Sequence, residues 1–492
     1  MKDLKTRAIR GGVAKVCSQG ANFALRVGSL MVLARLLDPK DFGLVGMVTA
    51  FTGVLGLFRD FGLSSATVQR TEVTDEQVST LFWINCLVGG ILWLLMAAVS
   101  PLIAAFYREP RLLWVTIVLA MGFFFNAVGV QHSAMLQRQM RFTTLAAIDI
   151  ISLVVSIAVG IGMALHGFKY WSLVVMTIIS PLITSTSLWL TTRWIPGAPR
   201  RRVGIHSMMR FGGTITLNGL VVYIAYNLEK VLLGRFWGAE TVGIYGRAYQ
   251  LINIPTENLN SAVGEVAFSV LSRVQNDLKR LRSYFLKGYS LVLALTVPIT
   301  VACALFGTDL ISVLLGPKWK EAVPIFRLLA PTILMFAMMN PFSWLLFSLG
   351  WVNRSLKIAL VIAPLAIGAY LIGLPYGPKG VAFAYSTAMG IWLIPHILWC
   401  IHGTGISFLD ILNVVKRPVI SAGVGATLAF GAQLEYGRLL SPLLRLVSGC
   451  GILFGVYVLM LLYVMGQKAF YLDLVRGLGG RASVDEKTLV LT

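Results

Sequence analysis

Arginines in an apolar chain are the residues whose chemistry needs explaining. Arg26 lies on one helical stripe with Gln19, Asn22 and Ser29, at spacings of 3, 4 and 3, which places all four on one face of a helix. It sits about eleven residues into the apolar segment that holds it, roughly 16 Å at 1.5 Å per residue, and so near mid-membrane if that segment spans a bilayer. A second stripe runs Arg247, Gln250, Asn253, Glu257, Asn260 and Gly264, again one face, with Pro255 inside it as an expected kink. Arg59 and Asp60 follow Thr49, Thr52 and Gly56, and Glu229 and Lys230 follow Asn218 and Asn227. An ionisable group inside a span costs at least a few kcal/mol and faces a cavity or a partner. Guanidinium groups grip phosphate with two parallel hydrogen bonds. Arg26, Arg59, Arg247 and Lys230, with Gln19, Asn22, Gln250 and Asn253 beside them, are therefore the candidate lining of an anion-binding cavity. Arg59–Asp60 and Glu229–Lys230 admit a second reading as structural ion pairs or snorkelling residues near span ends. Asp149 and Glu257 are candidate ion-coupling acids, or simply buried protonated or hydrogen-bonded ones.

Covalent chemistry is not in view. The chain carries no HExxH, P-loop, GxSxG or CxxC motif and no carboxylate pair in an external loop, so neither an enzyme nor a bound metal or cofactor is expected. The five cysteines (17, 86, 303, 400 and 450) lie in or beside apolar runs at unrelated spacings and read as helix packing residues. No role is assigned to the histidines at 132, 166, 206, 396 and 402.

Long apolar runs must position these side chains. Of 492 residues, 57% are hydrophobic and 13% charged, where a soluble domain is nearer a quarter charged; mean hydropathy is +0.78. The runs lack the alternation of a transmembrane β-barrel. The fold class expected is all-α and polytopic, with fourteen spans near 15–37, 42–64, 79–104, 112–134, 143–166, 170–191, 211–233, 240–268, 284–306, 323–347, 355–375, 380–401, 418–434 and 442–466. The N-terminal run carries Gln19, Asn22 and Arg26 and no small-residue cleavage site, so an uncleaved first helix is expected rather than a signal peptide.

The net charge of +21 suggests nucleic acid only until its distribution is seen. The basic residues cluster in short segments between spans. With the N-terminus inside, the cytoplasmic segments outnumber the opposite side in Lys and Arg by more than two to one, so both termini are expected in the cytoplasm and no nucleic-acid partner is expected.

The turn Leu33–Gly46 recurs 200 residues later as Leu233–Gly246. Leu33/Leu233, Arg35/Arg235, Gly43/Gly243 and Gly46/Gly246 coincide, as do Arg10/Arg210 and Gly12/Gly212 further back. Each copy joins an apolar helix to another apolar run, which points to internal duplication. Six spans precede the basic linker, an even number, so the two halves share one orientation. The expected architecture is two six-helix lobes related by a pseudo-two-fold axis along the membrane normal, plus two appended C-terminal transmembrane helices. In residue numbers, 1–192 is the first lobe, 193–210 a cytoplasmic linker, 211–402 the second lobe, 403–466 the appended pair and 467–492 a cytoplasmic tail. Pro255 and the glycines Gly43, Gly46, Gly243 and Gly246 are the candidate hinges.

Several stretches resemble the polysaccharide transporter (oligosaccharide flippase) family, in its colanic-acid and succinoglycan exporter branch. They are Leu33–Gly46, Asp60–Ala66 leading to Gln69 and Arg70, Leu136–Phe142, and Leu315–Pro324. The resemblance runs from about residue 8 to 400. It implies a fold shared with multidrug/toxin extruders and lipid II flippases, two lobes in a V that alternate access. It also implies an undecaprenyl-diphosphate-linked oligosaccharide as cargo, moved across the bacterial inner membrane for exopolysaccharide or lipopolysaccharide synthesis. A polysaccharide polymerase and a chain-length regulator are implied as partners. By helix position, though not by a strict motif, it puts Arg26, Arg59 and Arg247 in the cavity. Two rivals stand: a cation-coupled antiporter of small amphiphiles on the same fold, and a non-transporting scaffold of a polysaccharide assembly complex. A twelve-span sugar facilitator is disfavoured, because Arg70–Gln77 lacks the Arg-rich, Gly-Asp-containing loop expected after the second span.

Overall fold

The computed structural model describes residues 2–58, 74–200, 220, 223–436, 439–469 and 471, with side chains described except at 2–18, 257–262, 265, 266 and 436. All regular structure among these residues is helical. In chain order the longer elements are α1 (Lys2–Leu36), α2 (Pro39–Gly56), α3 (Asp75–Tyr107), α4 (Leu112–Arg138), α5 (Phe142–Leu165), α6 (Tyr170–Thr192), α7 (Leu228–Arg273) and α8 (Leu278–Leu305). They continue with α9 (Gly307–Leu314), α10 (Ala322–Leu329), α11 (Pro331–Met339), α12 (Pro341–Ser348), α13 (Val352–Gly373), α14 (Gly377–Ile401), α15 (Phe408–Tyr436) and α16 (Pro442–Leu459).

Local chemistry sets the ends. Pro39 opens α2 with a preset φ, and Asp41 accepts the backbone N–H of Asp38 at 3.1 Å. Thr74 and Gln77 close a reciprocal capping box on α3, at 3.2 and 3.3 Å. Asp277 accepts the N–H groups of Lys279 and Arg280, both at 3.1 Å, to start α8. Pro331 and Pro341 each sit in the first turn of a new helix and cut one span into the successive pieces α10, α11 and α12.

The sequence predicts fourteen spans. Among the described residues, eight helical segments are long and apolar enough to cross a membrane, and one of them, Val352–Ile401, holds two of the predicted spans. The helices that fall short include α1, α2 and α7, which carry the polar stripes. Their polar residues are what dilute the hydropathy. The chain is an all-α, multi-pass membrane protein.

The chain forms two compact units, and the boundary does not fall at the basic linker. The first comprises Met1–Gln250, Leu314–Leu328 and Asn353–Ala388; the second comprises Leu251–Val313, Leu329–Val352 and Met389–Thr492. In the first unit α3 packs on α4, α4 on α6, α6 on α5 and α5 on α1, while α2 lies against α4 and α6. In the second, α8 is the hub for α11, α15 and α16, and α15 and α16 pair as a hairpin. Tyr457 of α16 donates to the carbonyl of Ala294 in α8 at 2.7 Å. Arg445 grips the buried Asp309 through Nε at 2.8 and 2.9 Å.

The linker's described part lies along the start of α3. Trp83 donates to the Gly197 carbonyl at 2.8 Å, the Gly197 N–H donates to Ser79 at 3.0 Å, and Arg200 pairs with Glu76. Residues 201–210 of the predicted linker and most of the predicted tail lie outside the described residues.

Candidate functional site

The predicted site residues fall into local groups. On α1, Gln19 and Arg26 are exposed and Asn22 is half-buried. The helix behind them is α5, and it brings Asp149 into electrostatic reach of Arg26. Two groups read separately from the sequence, a cavity cation and a coupling acid, are thus neighbours. Arg59 lies outside the described residues, as does the side chain of Glu257.

At the start of α7 the Glu229–Lys230 pair does not close on itself. Lys230 donates from Nζ to Asn227 Oδ1 at 2.7 Å. Glu229 is buried, and neither carboxylate oxygen has a hydrogen-bond partner. Around it stand tyrosines: Tyr223, Tyr245 and Tyr370 all feel its charge. Tyr370 stacks on Tyr385 with ring centroids 5.2 Å apart, and the hydroxyls of Tyr245 and Tyr385 are buried without partners as well. A carboxylate without a donor in such a place needs a proton or a cation.

Further along α7, the Arg247 guanidinium carbon lies 4.3 Å from the centroid of the Phe42 ring on α2, and Arg247 donates to Gln250. Among the described residues it forms no ion pair. Asn253 is half-buried, and Pro255 sits within the helical stretch. The backbone departs from helical values at Gly238, with φ 84° and ψ 178°. That conformation belongs to glycine. Residue 238 is also the 200-residue counterpart of Asp38, the extended residue between α1 and α2, so the repeat marks it even though sequence reasoning did not single it out.

The candidate hinge glycines are placed inside helices, and two of them form a crossing. A Cβ built on Gly43 would lie 3.0 Å from the Gly243 nitrogen and closer still to the Ala239 carbonyl. One built on Gly243 would lie 3.1 Å from the Gly43 nitrogen and closer still to the Pro39 carbonyl. The crossing is reciprocal under the same shift of 200: 43 meets 239, and 243 meets 39. Only glycine lets two backbones approach this way. Gly46 faces Val242 Cγ1 at 3.2 Å, and Gly246 has open space around it.

The loop before α10 closes over this crossing. Trp319 is fully buried; its Nε1 donates to the Ala34 carbonyl at 2.8 Å, and its ring meets the edge of Phe42 at 5.3 Å between centroids. Lys318 pairs with Asp38 at 2.8 Å. Phe42 thus lies between Trp319 and Arg247. Neither aromatic was singled out from the sequence as part of the site, although Trp319 stood within a recognised stretch. Among the described residues, no group of three or more His, Cys, Asp or Glu could hold a metal.

Comparison with known proteins decides the family. The family described as "Polysaccharide biosynthesis protein" matches residues 32–324, more than half of the chain. The chain belongs to that family. It is 31% identical over 396 residues to "Teichuronic acid biosynthesis protein TuaB" of Bacillus subtilis, covering 76% of this chain and 78% of that one. It is 25% identical over 377 residues to "Lipopolysaccharide biosynthesis protein WzxC" of Escherichia coli, covering 75% and 76%. It is 24% identical over 479 residues to "Succinoglycan biosynthesis transport protein ExoT" of Rhizobium meliloti, covering 95% of each. The fold is similar to that of "Lipid II flippase MurJ, inward closed conformation", with a TM-score of 0.72 at 14% identity over 95% of this chain and 100% of that one. It also resembles an inward-facing multidrug transporter of the MATE family, with a TM-score of 0.63 at 14% identity over 78% and 94%. The resemblance to the polysaccharide transporter family therefore holds. The chain shares the fold of these transporters, in keeping with the expectation that it is not an enzyme.

Proposed function

We propose that the protein turns a polyprenyl-diphosphate-linked oligosaccharide repeat unit from the cytoplasmic to the outer leaflet of a bacterial inner membrane, by alternating access. The relatives are proteins of lipopolysaccharide, teichuronic acid and succinoglycan biosynthesis. The observation that carries the reading is Arg247. It is a guanidinium within the span region of a transporter, held by an aromatic face and an amide, with no acid paired to it among the described residues. Such a group trades a weak partner for a diphosphate at a gain. Arg26 adds a second cation, tempered by Asp149. The sugars and diphosphate occupy the cationic cavity while the polyprenyl tail stays in lipid.

In this reading residues 1–192 and 211–402 are the two lobes and 403–466 the appended pair, with both termini cytoplasmic. The reciprocal crossing of Gly43 and Gly243 supports the duplication behind that division. Asp149 and Glu257 are the candidate coupling acids, and Glu229 joins them because its oxygens are buried without donors. A polysaccharide polymerase and a chain-length regulator would take up the product.

The test is export. Arg26→Ala and Arg247→Ala, each expressed at parental level in the membrane of a strain lacking the native gene, should leave lipid-linked repeat units on the inner leaflet and no surface polysaccharide. Full export by both variants would refute the cavity assignment.

A further inference from the structure

We infer that Phe42 is a positioning residue for the cargo's diphosphate, a role that rests on the proposed function for the identity of the anion. Its ring holds the Arg247 guanidinium so that the edge formed by Nε and Nη2 stands ready for an anion, and Trp319 holds the ring.

The crossing sets the positions. Gly43 and Gly243 bring α2 and α7 into backbone contact. Arg247 stands four residues beyond Gly243 and so shares the helix face that meets α2. Phe42 precedes Gly43 at the same contact. The guanidinium carbon lies over the Phe42 ring, 4.3 Å from its centroid. A guanidinium on an aromatic face is held by the ring quadrupole and keeps its N–H groups directed outward in its own plane. Nη1 donates to Gln250, three residues further along α7. Nε and Nη2 have no hydrogen-bond partner among the described residues. Together they carry the parallel pair of hydrogens that a phosphate oxygen pair accepts. Gln250 is exposed and Arg247 half-buried, so the group can be reached from that side.

The ring itself is fixed. Phe42 is buried, and Trp319 meets it edge-on with centroids 5.3 Å apart and planes 69° apart. Trp319 is buried in turn, and its Nε1 donates to the Ala34 carbonyl at 2.8 Å. Phe42 therefore cannot swing away without displacing a residue bonded to the end of α1.

Such support matters because a free arginine side chain has many rotamers to lose when it grips a ligand. The ring fixes the plane of the guanidinium and Gln250 its rotation within that plane, so the ordering cost falls on folding and not on binding. Phe42 acts through Arg247 and does not touch the cargo. The 200-residue repeat keeps the crossing but not this pair, since the counterparts of Phe42 and Arg247 are Val242 and Met47. The crossing thus holds one such fork, not two.

The test measures binding of radiolabelled undecaprenyl diphosphate to the full chain in nanodiscs of zwitterionic phosphatidylcholine, with undecaprenol as a competitor that should not displace it. Arg247→Gln should weaken binding at least about tenfold, as expected for a lost charged hydrogen-bond donor. Phe42→Leu should weaken it about tenfold through loss of the ring contact. Trp319→Phe keeps a ring beside Phe42 but loses the bond to Ala34, and should weaken binding about threefold. In the Arg247→Gln background, Phe42→Leu should change nothing further, because its effect passes through the guanidinium. A merely structural loss at Phe42 would weaken both backgrounds alike.

If Arg247→Gln binds the diphosphate lipid like the parent, the proposed cargo contact falls and the positioning role falls with it. If Arg247→Gln weakens binding but Phe42→Leu does not, or if Phe42→Leu costs the same factor in both backgrounds, the cargo contact stands and the positioning role alone is overturned. Where Phe42→Leu does not reach the membrane folded, Trp319→Phe takes its place in the same cycle, with the same two outcomes.

Discussion

Replacing Gly43 with alanine adds one carbon at the tightest point of the first unit. The new Cβ would lie 3.0 Å from the Gly243 nitrogen and nearer to the Ala239 carbonyl, both backbone atoms that have no rotamer to change. Ordinary contact begins at 3.4 Å, so α2 and α7 must separate by nearly 2 Å or the turn before them must deform, and overfilling a packed site costs about 1–3 kcal/mol. Against this, alanine favours the helix over glycine by about 0.5–1 kcal/mol. Since the obstacle is backbone, the overfilling sits at the upper end, and the net expectation is a loss of about 2 kcal/mol in the crossed state. Gly243→Ala should behave alike, because its Cβ meets the Pro39 carbonyl. The double variant should cost less than the two together, since the first substitution already parts the helices. Gly46→Ala meets only the end of Val242 and should be mild; Gly246→Ala has open space and should be neutral or slightly stabilising. The assay is thermal unfolding of the detergent-solubilised full chain, followed by size-exclusion fluorescence. A Gly43→Ala protein that melts with the parent, or a Gly246→Ala protein that melts lower than it, would refute the crossing.

Other substitutions probe other parts. Arg445→Ala leaves the buried Asp309 without its bidentate partner, so the α15–α16 hairpin should lose about 1–3 kcal/mol, read as earlier protease cleavage in residues 403–466; no change would show that Tyr457 and apolar packing suffice. Glu229→Gln replaces a donorless buried carboxylate with a neutral amide of the same shape, so melting should hold or rise; a drop of several degrees would mean the carboxylate is paired in the native membrane. Glu109, in the loop before α4, accepts from Arg111 Nε and Nη2 at 2.7 Å each, and those bonds hold its carboxyl below the ordinary glutamate value. The folded-state value being lowered, its contribution is whole above the ordinary value of about 4.3 and fades as pH falls through the lowered one. Glu109→Gln should melt slightly below the parent at pH 7, by no more than about 1 kcal/mol, and level with it in that acid range; an unchanged gap across pH would remove the pair as the cause.

Much of this molecule is written in local sequence. Long apolar runs with few charges specify membrane helices whatever their neighbours, because no other continuous structure satisfies the backbone in lipid. The 3- and 4-residue spacing of Arg26 with Asn22, and of Arg247 with Gln250, fixes shared helix faces without reference to the rest of the chain. The repeat at an offset of 200 is likewise visible in residue types, and the glycines at 43 and 243 are there to be read. Their work is not. A glycine inside a helical pattern reads equally as hinge, kink or contact, and only the partner backbone makes it a crossing. The same holds for charges: Glu229 and Lys230 look like a pair in sequence, yet adjacent residues on a helix point about 100° apart, and Lys230 turns to Asn227 while Glu229 turns inward among tyrosines. Asp149 comes within electrostatic reach of Arg26 because α1 packs on α5. Phe42 lies between Arg247 and Trp319 because α7 crosses α2 and because the Trp319 loop folds back onto Ala34. Periodicity fixes which face of a helix a residue occupies; which other element lies on that face is decided by packing among segments far apart in the chain, and only the tertiary structure holds that information.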